Sequence, residues 1–235
     1  MNRLPQNNLL RKLPIDYLNN LLAKAELVDL EPQTALYERN QPVEYGYFLE
    51  SGIVSVLAST STGAYVEAAI VGNKGLVGLP IIFDSHPWAT RAVCQVAGKA
   101  YRLKADLFLH EFRTNQQFAS ILLRYVQTFF DLMAQTSVCT HMHSIEERCI
   151  RWLLQVHDRT ENDQNIVPLT QEFLAQLLGV RRSGVNIAIG NLKRANLLRS
   201  VRGKMEIVDR QGLEKACCEC YRIAQEAFAE IDAYE

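Results

Sequence analysis

No stretch of this 235-residue chain stays apolar for the roughly 18 residues that a membrane-crossing helix needs. The longest apolar helix candidate, ILLRYVQTFFDLM, is broken by Arg124, Gln127 and Asp131. MNRLPQNNLL at the start has one Arg and no apolar run behind it, so no secretory leader is expected. The chain also lacks the short motifs of common enzymes: no Gly-x-Ser-x-Gly, no Gly-rich phosphate loop followed by Lys, no His-Glu-x-x-His. It has no excess of one charge, the formal net charge being −1. Six cysteines suit a reducing compartment, where they read as buried thiols before disulfides. The expectation is a cytoplasmic protein that is not an enzyme and does not meet a membrane.

With 48% hydrophobic and 22% charged residues, the chain has the make-up of an ordinary globular protein and the length for two cores. Its charge is unevenly placed. From Val180 to Met205 there are seven basic residues (Arg181, Arg182, Lys193, Arg194, Arg199, Arg202, Lys204) and no acid. A basic run alone is most simply a solvated face; what it coincides with decides its meaning.

Three regions follow from the periodicities. Residues 1–114 open with an amphipathic helix around Pro14–Ala25, with Ile15, Leu18, Leu21 and Leu22 on one face. Short β-like runs then alternate with turn residues: ALYE, YGYFLE, GIVSVLAS, YVEAAIV, TRAVCQVA and KAYRL. Without βαβ alternation, these predict an antiparallel roll or barrel and exclude a Rossmann-type domain. In residues 115–143, Phe118, Leu122, Tyr125, Phe129, Leu132, Thr136 and Cys139 recur at alternating spacings of four and three, a heptad seam. A second stripe (Ile121, Leu123, Val126, Phe130, Met133) needs other cover. The expectation assigns the first seam to a second copy of the chain and the second stripe to the roll. The competing reading is a helix buried within one chain.

Residues 144–235 begin with the helix IEERCIRWLLQVHDR, whose apolar face is Ile145, Cys149, Trp152, Leu153 and Val156, and a polar loop, ENDQN, follows. Next comes QEFLAQLLGVRRSGVNIAIG. Counting Gln171 as first, Ala175 stands fifth, Gly179 ninth and Val185 fifteenth. Two steeply crossing helices need a small residue at the contact, a left-handed turn and a buried branched side chain, in that order. Thr170 stands as N-cap. LLRSVRGKMEIVDR reads as a β-hairpin with Gly203 at its tip. A helix-turn-helix with a wing, a basic surface and an upstream pairing helix points to double-stranded DNA.

These segments resemble the Crp/Fnr transcription regulators over nearly the whole length. The resemblance rests on LTQEFLAQLLGVRRSGVNIAIGNLKRANLL, on FLESGIVSVLAS with GAYVEAAIVGNKGLVGLP, and on IVDRQGLEKACCECY, a tail like that of one subgroup. It implies an α+β fold: an N-terminal antiparallel β-roll of the double-stranded β-helix type, a long dimerisation helix, and a C-terminal winged helix-turn-helix. It also implies a homodimer on a two-fold symmetric operator, an effector sensed by the roll, and RNA polymerase as a further partner for an activator. By resemblance, Arg182 is the guanine reader; Ser183 stands where the family often has glutamate, and Ile187 where a second arginine often sits. Asn186 completes the base-reading set, and Thr170, Arg181, Lys193, Arg194 and Lys204 are the phosphate contacts. Gly184, costly in a helix, is expected to allow close approach to DNA.

The sensory end departs from the family. Val77-Gly78-Leu79-Pro80 has leucine where a ribose-binding glutamate would stand, and Thr90-Arg91-Ala92 is one position out of register with the phosphate motif. Gly78, Leu79, Arg91 and Ala92 form the candidate effector pocket, with cAMP and cGMP disfavoured. An iron–sulfur cluster of the family's N-terminal type is not expected, because the first cysteine is Cys94. No pattern singles out His86, His110 or Cys94 as haem ligands. Cys139, His141 and His143 look superficially like metal ligands, as do Cys217, Cys218 and Cys220. The simpler readings are a polar hinge and a buried helix face, so no metal and no cofactor is expected. The rival function is a ligand-sensing or protein-interaction module whose helix-turn-helix no longer meets DNA. Loss of the arginines would mark it, and Arg181 and Arg182 are both present.

Overall fold

The computed structural model describes residues 4–61, 63–83, 88–159, 166–167, 170–201 and 204–232. The chain enters through α1 (Asn8–Arg11), a single turn held by one buried side chain. Asn7 accepts from the amides of Leu9 and Leu10 and donates to the carbonyls of Leu49 and Gly75 at 2.9 and 2.8 Å. A fully satisfied buried amide of this kind fixes the entry of the chain onto the roll. In α2 (Ile15–Lys24), Leu18 and Leu21 are buried as expected, whereas Ile15 is exposed.

The roll is two four-stranded antiparallel sheets. β1 (Glu26–Leu30), β8 (Gly98–Lys104), β3 (Tyr45–Leu49) and β6 (Leu76–Val77) make one, in the order β1-β8-β3-β6. β2 (Ala35–Tyr37), β7 (Thr90–Val96), β4 (Ile53–Ser59) and β5 (Tyr65–Val71) make the other, in the order β2-β7-β4-β5. All six expected strands form. β1 and β6 carry no clear alternation, one being mostly exposed at a sheet edge and the other two residues long. Between β6 and β7 lies the short α3 (Pro80–Phe83), and α4 (Ala105–Thr114) closes the region. The apolar sides of both sheets, α2, α4 and the following helix share one core.

That helix, α5 (Gln116–Met142), starts at Asn115, whose side chain caps the amide of Phe118. Here the expected assignment fails for the first seam and splits the second stripe. Phe118, Leu122 and Tyr125 are 1%, 0% and 2% exposed within their own chain. Phe129 and Leu132 pack against the same core, and Thr136 turns its hydroxyl back to the carbonyl of Leu132. The seam expected to meet a partner is therefore the helix's buried face. Of the second stripe, Ile121, Val126 and Met133 pack against the roll core as expected, whereas Leu123 and Phe130 are 54% and 56% exposed. Both stripes have coiled-coil spacing, and periodicity does not say which neighbour a stripe covers.

After a Ser144/Glu147 capping box comes α6 (Ile145–His157), buried from Arg148 to Val156. Then follow β9 (Ile166–Val167), α7 (Gln171–Leu178), α8 (Arg182–Arg194), β10 (Leu198–Val201), β11 (Lys204–Ile207), α9 (Arg210–Ala216) and α10 (Cys220–Asp232). β10, β11 and β9 form the wing sheet in the order β10-β11-β9. Its expected tip, Gly203, the basic Arg202, the ENDQN loop and His86 lie outside the described residues.

The two regions interlock. Ile53, Leu57 and Val93 of the roll join Trp152, Leu153 and Leu177 in the second core. Across this contact the indole of Trp152 donates to Glu67 on β5 at 2.8 Å, and Ser55 also donates to that carboxylate. In the other direction α10 sends Phe228 and Ile231 into the roll core, while Tyr221 belongs to the second. Burial raises the Glu67 carboxyl to about 7, with the donors Ser55 and Trp152 and the cations Arg151 and Arg159 acting against it. The folded chain thus keeps this proton to about pH 7, while an unfolded one releases it near 4.5. Stability should fall as pH rises through that window, because there the native state binds more protons. Glu67→Gln should remove most of this slope and gain stability relative to the parent at the alkaline end, as read by urea unfolding across the window.

Candidate functional site

The helix-turn-helix forms as its spacing requires. Thr170 Oγ1 accepts from the amide of Phe173 at 3.2 Å, capping α7. Gly179 ends that helix in a left-handed conformation, φ 65°. A Cβ there would lie 2.6 Å from Val66 of β5, so the turn is seated against the roll as well. Arg148 on α6 donates to the carbonyl of Leu178, placing a cation at the C-terminal end of α7. Val185 and Leu174 are fully buried where the two helices cross, with Ala175 beneath them and Leu178 and Val180 packed at the edge.

The other side of α8 faces outward. Arg181, Arg182, Ser183, Asn186 and Ile187 are all exposed, Ile187 by 66% despite its apolar side chain. Thr170, Arg194 and Lys204 are also exposed and Lys193 half-buried, so none of the expected base-reading and phosphate-contacting side chains is lost to the core. Arg181 is the N-cap of α8 and makes no side-chain cap hydrogen bond, and the first turn has no acid. Two arginines at the positive end of a helix dipole are unfavourable alone; an incoming phosphate both neutralises them and accepts from the free amides.

Two acids within this basic surface were not anticipated. Glu172 lies 3.6 Å from Arg182, an exposed pair of the kind worth about 0–1 kcal/mol and readily exchanged for a base edge. Glu206 takes both ends of Arg199 across the wing hairpin at 2.8 and 2.9 Å, so Arg199 is already committed. A Cβ on Gly184 would lie 2.7 Å from the terminal methyl of Ile145 on α6, a side-chain tip that can move aside. Gly190 has room around it, and nothing in the structure explains it.

In the roll, a cavity lies between the second sheet and α5. Gly78 and Leu79 line it with Tyr37, Trp88, Thr90 and Phe129, but Arg91 and Ala92 do not. Side chains alternate along β7, so Thr90 and Arg91 point to opposite faces. Arg91 instead sits over the Tyr65 ring at 5.0 Å and pairs with Glu38 at 2.9 Å, its Nε buried without a hydrogen-bond partner. Ala92 is fully buried in the core. The expected phosphate partner is thus on the wrong side of its strand. The alternation in TRAVCQV separates Thr90 from Arg91, and which of the two faces the cavity is a tertiary outcome.

The cysteine groups, read separately from the sequence, meet in space. Cys139, His143, Cys218 and Cys220 place one donor atom each within 4.8 Å of one another. His141 is not among them; it is exposed, with Nδ1 on the carbonyl of Ser137. Hydrogen bonds from Cys139 and Cys217 hold the Cys218 thiol well below its usual value, whereas burial pushes the solitary Cys94 and Cys149 thiols up to about 11 and about 12.

No helix among the described residues is long and apolar enough to cross a membrane. Comparison with known families matches residues 27–115 to the cyclic nucleotide-binding domain and residues 147–216 to the Crp-like helix-turn-helix domain. No curated protein sequence matches. Among solved structures, a putative transcriptional regulator of the Crp/Fnr family from Eubacterium rectale aligns over 91% of this chain and 97% of its own, at TM-score 0.70 and 16% identity. FixK2 from Bradyrhizobium japonicum aligns over 83% of this chain and 98% of its own, at TM-score 0.69 and 18% identity. The c-di-GMP responsive global regulator CLP of Xanthomonas campestris aligns over 83% and 100%, at TM-score 0.65 and 15% identity. Identities this low speak to the fold, whereas the two family matches, in this order and together spanning more than half of the chain, speak to descent. The chain belongs to the Crp/Fnr family of DNA-binding transcription regulators.

Proposed function

We propose that the protein binds a two-fold symmetric operator as a homodimer, reads it with the N-terminal half of α8, and is controlled by an apolar effector held between the roll and α5. The observation that carries the DNA reading is the outward face of α8. Arg181, Arg182, Ser183, Asn186 and Ile187 stand clear of the core at a helix N-terminus that has neither a side-chain cap nor an acid. Arg182 reads a guanine through O6 and N7, Asn186 an adenine edge and Ile187 a thymine methyl. Thr170, Arg181, Lys193, Arg194 and Lys204 hold phosphates and set the register. Two such helices enter successive major grooves about 34 Å apart.

The partner face of α5 is the line of Leu123 and Phe130, flanked by Val126 and Met133, which share its rhythm and pack partly against the roll core. Exposed apolar side chains at coiled-coil spacing cost little in a monomer and gain cover in a symmetric pair. Val126, Phe130 and Met133 also line the cavity, so an occupant there touches the dimer face. The cavity wall is aromatic and aliphatic and includes no charged side chain among the described residues. That lining suits an apolar ligand and gives the phosphate of a cyclic nucleotide no cation, including the c-di-GMP to which the Xanthomonas protein is responsive.

Arg182→Ala should lose about 1–3 kcal/mol of discrimination between operator and random DNA. Lys204→Ala should weaken binding to every sequence and lower the salt slope by about one. Footprints and salt titrations of the two variants check this, and unchanged specificity in the first would remove the assignment of Arg182. Phe130→Glu should yield folded monomers by analytical ultracentrifugation, whereas Leu122→Glu, placing a charge in the roll core, should unfold the chain. A Phe130→Glu protein that remains dimeric would place the interface elsewhere. In thermal-shift measurements cAMP, cGMP and c-di-GMP should leave Tm unchanged, where a ligand at a hundred times its Kd would add about 2.7 kcal/mol.

A further inference from the structure

Two pairs of side chains, 79 residues apart in the chain, converge at the hinge between the regions. Cys139 and His143 stand one helical turn apart at the end of α5, and Cys218 and Cys220 flank Glu219 where α9 gives way to α10. Their donor atoms lie mutually within 4.8 Å, with all three thiols buried and the imidazole half-buried. Cys139 Sγ is 3.7 Å from Cys218 Sγ, and Cys220 Sγ is 3.5 Å from His143 Nδ1. A tetrahedral zinc with Zn–S about 2.3 Å and Zn–N about 2.0–2.1 Å requires ligand edges of about 3.8 Å between sulfurs and about 3.6 Å from sulfur to nitrogen. These two of the six edges are within about 0.1 Å of those values, and the other four lie within 4.8 Å, a span that a bound ion would draw in.

The surroundings are those of a metal site as well. His143 turns its second ring nitrogen, Nε2, toward Glu219 at 3.3 Å, the carboxylate that characteristically orients a metal-ligating imidazole. Gln135 donates its side-chain amide to Cys220 Sγ at 3.0 Å. Three thiolates and a neutral imidazole around Zn²⁺ leave one negative charge. Arg151 is buried beside the site, donates to Thr136 one turn before Cys139, and has an Nε without a hydrogen-bond partner. Its guanidinium supplies the compensating positive charge.

We infer that Cys139, His143, Cys218 and Cys220 form a closed, structural zinc site that staples the C-terminal tail to the end of α5. Four protein ligands leave no position for substrate, which is the mark of a structural rather than catalytic centre. Binding deprotonates the thiols, the protons pass to solvent, and no redox change is involved. The staple sits where the tail passes from one core to the other, Tyr221 packing in the DNA-binding core and Phe228 and Ile231 in the roll. Zinc would thereby hold the recognition unit and the sensory domain in one relative placement.

The test is metal analysis of the full chain, purified without a tag under reducing conditions, followed by removal of metal and titration with cobalt(II). The expected result is about one zinc per chain. Cobalt should give a thiolate charge-transfer band and intense tetrahedral d–d bands that saturate at one equivalent and are displaced by zinc. Cys218→Ser and His143→Ala should lose the bound metal, while Cys217→Ser and His141→Ala, which alter neighbours outside the donor set, should retain it. The cobalt titration of the parent chain does not depend on whether any variant folds. No saturable tetrahedral cobalt spectrum in the parent, iron in place of zinc, or equal loss of metal in the Cys217 and His141 variants would overturn the assignment. So would a Cys139–Cys218 disulfide in protein isolated without air.

Discussion

α5 has to bury one apolar face against its own roll, and the remaining geometry follows from that constraint. Phe118 sits in an aromatic cluster with Phe48 and Phe108, ring centroids 6.1 and 5.6 Å away. Further along the helix, the Tyr125 hydroxyl donates to the carbonyl of Leu76 at 3.2 Å, close over Gly75, where a Cβ would approach that oxygen to 2.5 Å. These contacts set the rotation of the helix about its axis. With that rotation fixed, Leu123 and Phe130 face away from the core, Phe129 and Met133 reach the cavity, and Cys139 and His143 point at the tail. One rotational degree of freedom thus decides a surface, a cavity and a cluster at once.

A second constraint acts across the regions. Glu67 is a carboxyl in a largely apolar contact, met by the Trp152 indole and the Ser55 hydroxyl. A buried polar group satisfied only by donors from both regions favours a particular docking over a generic apolar one. The tail adds to this: Arg210 contacts Asp158 and Glu214, and the Tyr221 hydroxyl donates to Asp158 at 2.8 Å. Within IVDRQGLEKACCECY, Arg210 and Tyr221 thus tie α9 and α10 to Asp158 at the end of α6.

Much of the fold was legible because its signals are local. The six strands announce themselves by alternation between turn residues, and the helix-turn-helix by three small or branched residues at fixed spacing. The outward face of α8 was equally readable, since a residue flanking Val185 at helical spacing has to point outward when Val185 points in. What failed depended on distant partners. Phe118, Leu122 and Tyr125 repeat as coiled-coil positions do, so spacing alone points to a second chain where the roll is the true neighbour. Arg91 is a ligand contact only by analogy with the family, and the fold turns it away from the cavity that Thr90 lines.

By itself the sequence determined the order of the parts, the winged helix-turn-helix and the position of its exposed arginines. These rest on periodicity, capping and turn chemistry, which act over a few residues. Only the tertiary structure decided which stripe of α5 is buried, which face of β7 looks into the cavity, and that Cys139 and His143 meet Cys218 and Cys220. Those outcomes depend on how a helix is rotated and where a tail returns. Neither leaves a trace in local spacing, because the energy that settles them comes from surfaces far apart in the chain.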